Sequence, residues 1–120
     1  MKPAQNGIIY HGGTLPVPSR LQKGSLRLQG DRLLIRCPQE DPLYNLDLSI
    51  PLDRIIRAVA RERKYYSSVA YLLIIDYLDD QDREIELELE IRSFIRRGRA
   101  QALSRYWAEL LSKGQPVRSE

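Results

Sequence analysis

The chain has one cysteine and one histidine in 120 residues. A lone Cys37 excludes an internal disulfide, and a lone His11 leaves too few of the usual ligands for a zinc-type cluster. The longest apolar segment, Val69 to Ile75, falls far short of the roughly 20 residues that a membrane-spanning helix needs. Met1 to Gly7 has no apolar run of the signal-peptide kind. These absences point to a reducing, cytoplasmic setting and to a chain without a transmembrane segment. No nucleophile motif accompanies His11 and its Gly12-Gly13 neighbours, so the residues offer no catalytic machinery, no metal centre and no cofactor site.

What is present fits one folded domain over residues 1–120, with an ordered core from about 7 to 113 and a loose tail at 115–120. The hydrophobic share of 42% and charged share of 29% are ordinary for a globule. The net charge is only +3, but it is unevenly spread. Asp76 to Glu90 holds eight acids against one base, Arg83, so the rest of the chain is strongly basic. Such asymmetry bears on association and orientation more than on fold.

Apolar residues mostly recur with period 2. Gly7 to Tyr10 reads as a short strand, and His11 to Pro18, with paired glycines and spaced prolines, as a loop. Ser25–Leu28 and Arg32–Arg36 flank Gly30-Asp31, which predicts a hairpin. Leu46, Leu48, Ile50 and Leu52 alternate with Asp47 and Ser49. The segment after Arg54 places Ile56, Ala58 and Ala60 on one face, with Ile55, Arg57, Val59 and Arg61 on the other. Tyr65-Tyr66-Ser67-Ser68 marks a loop tip. Val69 to Leu78 is apolar on both faces, which implies a strand covered on both sides. Ile85, Leu87, Leu89 and Ile91 then alternate with Glu84, Glu86, Glu88 and Glu90. After Ile91 the period changes to 3.6, and Ala100, Leu103, Trp107, Leu110 and Leu111 line one face of a helix from near Arg97 to Lys113. Gly114 and Pro116 supply its stop.

Gly24-Ser25-Leu26-Arg27-Leu28 with Asp31-Arg32-Leu33-Leu34-Ile35, then Leu48-Ser49-Ile50-Pro51-Leu52-Asp53-Arg54-Ile55, resembles the opening hairpin and strand exit of the bacterial PH-domain and GRAM-like family. The resemblance implies a mainly β fold, a PH-like antiparallel barrel of two near-orthogonal sheets. One C-terminal α-helix would plug an open end, with Trp107 and Leu103 against the sheet interior. It also implies a binding or scaffolding role with ligands that differ between members. The lysine and arginine pattern by which some PH domains hold phosphoinositides has no counterpart here.

Three charged groups are candidate contact surfaces. Arg92, Arg96, Arg97 and Arg99 sit at the strand-to-helix junction, where a helix start and arginines together suit an anion. Arg57, Arg61, Arg63 and Lys64 beside Tyr65 and Tyr66 mix basic and aromatic side chains as nucleic-acid surfaces do, although no known nucleic-acid signature accompanies them. Glu84, Glu86, Glu88 and Glu90 form an acidic strand face suited to a partner protein. Each group also fits a plain solvated surface. The expectation drawn from them is a non-enzymatic binding or scaffolding domain acting on a protein partner or on itself as a homo-oligomer. The alternative is binding of an anion, a lipid headgroup or a nucleic acid through the arginines.

Overall fold

The computed structural model describes residues 4–15, 22–39, 41–92 and 97–113. Among these residues seven strands, β1 (Ala4–Gly13), β2 (Gln22–Gln29), β3 (Arg32–Cys37), β4 (Leu46–Pro51), β5 (Ile55–Lys64), β6 (Val69–Leu78) and β7 (Glu84–Ile91), precede one helix, α1 (Arg97–Lys113). All pairings are antiparallel, in one sheet of order β4-β3-β2-β1-β7-β6-β5. The protein is therefore mainly β with a C-terminal helix. The edge strands β4 and β5 are consecutive in sequence, joined through the single turn Leu52–Arg54. No ladder pairs them among the described residues, so the sheet is open. Where the resemblance divides the strands between two sheets, the hydrogen bonds here run continuously through one.

Local chemistry explains the turns and bends. Gly30 has φ 62° and stands first in the two-residue β2–β3 connection, where a II′ turn needs a left-handed residue. β1 departs from the sequence reading, which ends it at Tyr10. Tyr10 lies opposite Leu89 and Gly12 opposite Glu88, so His11 is an extra residue in a bulge and the strand runs on to Gly13. A bulge bends its strand, and β1 carries a second one toward β2 between Gln5 and Ile8. Gly13 is required there: its φ is 144° and a Cβ would strike the Glu86 carbonyl. Of the rest of the expected loop, Thr14 and Leu15 are bends, and Pro16 to Pro18 lie outside the described residues. A third bulge, at Ile56, changes the expected faces of β5 at Ile55 and Ile56 alone; Ala58 and Ala60 face the core and Arg57, Val59 and Arg61 the other side, as expected. Ile55 pairs with Tyr77 and Arg57 with Asp76, which turns Ile55 into the core and leaves Ile56 half-buried.

The inner face holds a single core that includes Tyr10, Leu26, Ile35, Leu73, Ile75 and Leu89. α1 packs over β5, β6 and β7. Its buried stripe is Ala100, Ser104, Trp107, Ala108 and Leu111, while Leu103 and Leu110 flank it half-buried. Ser104 is accommodated because its Oγ donates to the Gln101 carbonyl at 2.8 Å. Among the described residues no helix is long and apolar enough to cross a membrane.

Candidate functional site

Because successive residues of a strand point to opposite sides, register places three rows across the outer face. Arg61, Leu72 and Glu90 are aligned, as are Val59, Ile74 and Glu88, and Arg57, Asp76 and Glu86. β5 therefore contributes bases, β7 contributes acids, and the apolar residues of β6 run between them. Arg63 is level with Ala70, yet its Nη2 donates to Glu88 Oε1 at 3.1 Å. This pair crosses β6 diagonally at the level of Leu72, which is only 1% exposed. The second apolar face of β6 is thus covered by side chains of its own neighbours. Asp76, also buried, accepts from Arg57 Nε at 3.0 Å and Nη2 at 2.8 Å, both on one carboxylate oxygen.

The structure brings together two surfaces that the sequence analysis keeps apart. Arg57, Arg61, Arg63 and the glutamates of β7 share one face and partly neutralise each other. Glu88 is held by Arg63. Glu90 is engaged on both oxygens, Oε1 by His11 Nε2 at 2.7 Å and Oε2 by Arg92 Nε at 3.0 Å. The bulge is what presents His11 to Glu90. Glu84 and Glu86 remain exposed farther along β7, toward the β6–β7 turn. Of the expected anion site, Arg92 is turned onto Glu90 and Arg99 is exposed in the first turn of α1. Arg96 and the side chain of Arg97 lie outside what is described.

The feature that sequence reasoning undervalues is the end of the β5–β6 hairpin. Lys64 pairs with Val69, and Tyr65 N donates to the Ser68 carbonyl at 2.8 Å, which closes a tight tip. Tyr66 is fully exposed, and Tyr65 and Val69 are close to half-exposed. The tip overhangs a cavity of about 670 Å³, walled also by Ile9 and His11 of β1, Glu90 and Arg92 at the end of β7, and Ala100 of α1. The signal was available in two adjacent tyrosines at a turn, but the bulged course of β1 beside them was not.

No family model matches the chain, and neither do the curated proteins or the solved structures. Cys37 is buried at the end of β3, and burial pushes its thiol up to about 11, so it stays protonated at neutral pH. His11 is committed to Glu90. No group of three or more His, Cys, Asp or Glu side chains among the described residues could hold a metal ion. What the face offers is paired charge, a projecting aromatic tip and a cleft beneath it.

Proposed function

We propose that this chain is a non-catalytic, PH-like binding domain that meets its partner with the β5–β6 tip and the cleft below it. The carrying observation is the exposure of Tyr65, Tyr66 and Val69 together on one hydrogen-bonded tip. Burying large apolar side chains is favourable, so three adjacent exposed ones at the mouth of a cleft mark a contact surface better than scattered ones would. The ion pairs of Glu88 and Glu90 support the same assignment, since acids already engaged by arginine and histidine have less to offer a partner protein.

The PH-like part of the proposal rests on strand order. The chain's fourth and fifth strands stand at opposite edges of the sheet but are joined by the single turn Leu52–Arg54. Such a link requires the sheet to curl so that its edges approach, and the two bulges of β1 near its middle supply bending points. That is the course of a partly open barrel with α1 over the β5–β7 half.

The test is a map of amide shifts in the labelled chain as anionic lipid micelles, a short single-stranded oligonucleotide and an acidic peptide are added separately. Shifts at residues 63–69 with any of the three support the reading. Shifts confined to β7 or to the β6–β7 turn, or none at all, refute it.

A further inference from the structure

Charge at the tip is of one sign. From Arg63 to Ile75 there is no acidic residue. Of the acids on neighbouring segments, Glu88 is met by Arg63 and Glu90 by His11 and Arg92, while Glu62 keeps its charge and accepts from the neutral Gln101 Nε2 of α1 at 2.8 Å. Lys64, Arg61 and Arg99 are exposed, and among the described residues no ion pair engages them. The far end of the same hairpin unit is the reverse: Arg83 and Arg54 meet Asp79 and Asp82 at the β6–β7 turn, but Asp80, Glu84 and Glu86 are exposed there and no ion pair among the described residues engages them. Ten residues of β6 separate the two ends, about 30 Å at the rise of an extended strand. The unit is therefore an electric dipole with an aromatic tip at its positive end.

We propose that this tip docks the domain on an anionic lipid bilayer, with Tyr65, Tyr66 and Val69 at headgroup level and Lys64, Arg61 and Arg99 facing the acidic headgroups; this rests on the binding role of the tip set out above. Tyrosine suits that depth because its ring is apolar and its hydroxyl stays wet. A dipole of this sense turns the tip toward a negative surface before contact. The shape also favours a bilayer. A specific protein interface needs on the order of 1,000 Å² of buried surface, which a narrow convex tip does not present, whereas a lipid surface deforms around it. A nucleic-acid strand needs a continuous basic track, and Glu88 and Glu90 interrupt the one on this face.

Sedimentation of the full chain with phosphatidylcholine vesicles, with and without phosphatidylserine, tests the proposal. Binding is expected only to the anionic vesicles and falls with added salt. Lys64→Ala lowers partitioning about fivefold, the effect of one basic residue at an anionic surface, and Tyr66→Ser lowers it several-fold. Asp80→Asn, at the opposite end, leaves it unchanged or raised. A Tyr66→Trp variant adds a direct reading, since its emission shifts to the blue on anionic vesicles. Equal partitioning on neutral vesicles, or parent-like binding by both Lys64→Ala and Tyr66→Ser, overturns the proposal. If vesicles fail while the oligonucleotide or the peptide shifts the amides of residues 63–69, the membrane falls and the tip's binding role stands; if no probe moves those amides, both fall.

Discussion

Tyr10 carries a buried hydroxyl that finds no hydrogen-bond partner among the described residues. Its ring is fully enclosed in the core, and burial, with Cys37 and Glu88 nearby, pushes the phenol above its ordinary value. An unmatched buried hydroxyl costs about 1–3 kcal/mol, and removing it without changing the ring recovers part of that. Tyr10→Phe is therefore expected to raise the urea midpoint, with a gain of about 1 kcal/mol. A lower midpoint in the variant would mean that the hydroxyl is bonded in solution and that the core is arranged differently around it. The neighbouring Cys37 is set by the same surroundings. Its Sγ lies where a Cβ on Gly24 would also press, together with the Arg36 carbonyl, so β2 and β3 approach closely there and glycine is the residue that permits it.

At the scale of elements, the β6–β7 turn is organised by one carboxylate. Asp79 Oδ1 accepts from the backbone N–H groups of Gln81 and Arg83, and Oδ2 accepts from Arg83 Nε, each at 2.9 Å. The Arg83 backbone N–H is the leading cause that holds the Asp79 carboxyl below its usual value of 3.8. A depressed folded pKa gives stability that is present above the unfolded value and lost as pH falls through the folded one. Asp79→Asn should thus lower the melting temperature at pH 7, and the gap to the parent should close as pH drops below about 4; a gap that stays constant in acid would show that the charge is not what matters. α1 depends instead on packing. Trp107 is 1% exposed, so Trp107→Ala is expected to cost about 3–5 kcal/mol, and a parent-like urea midpoint would show that the helix does not rest on it. Trp107, the hairpin at Gly30-Asp31 and the alternation of β4 and β7 are legible in the sequence, because period and turn chemistry are local. The bulges at His11 and Ile56 are not, since one inserted residue shifts the phase of the alternation across it and only the partner strand reveals where. The same limit hid the site: Arg63 and Glu88 belong to strands separated by β6, and no spacing along the chain shows that they meet over Leu72.

For the whole molecule, that meeting changes what β6 implies. Apolar side chains on both faces of a strand in so small a sheet suggest a second copy of the chain, and the excess of acids from Asp76 to Glu90 suggests how two copies would align. Both grounds weaken once the fold is seen. Leu72 and Ala70 are buried within the chain itself, and Arg57, Arg63, His11 and Arg92 already engage Asp76, Glu88 and Glu90. The pairs of partly exposed partners are each worth only about 0–1 kcal/mol, but in sum they occupy the face that a second copy would need. Among the described residues the remaining exposed large apolar groups are those of the hairpin tip, Leu43 and Tyr106, and these do not form the extended patch that a stable dimer buries. Light scattering is therefore expected to return the monomer mass of 13.9 kDa at moderate salt and at high protein concentration. Breaking the cover should change this: Arg63→Ala combined with Glu88→Ala uncovers Leu72 and is expected to raise the mass or to expose the face to an apolar dye. A parent chain that already exceeds the monomer mass at moderate salt would show that the paired face is an interface after all, and that its charges are exchanged between copies.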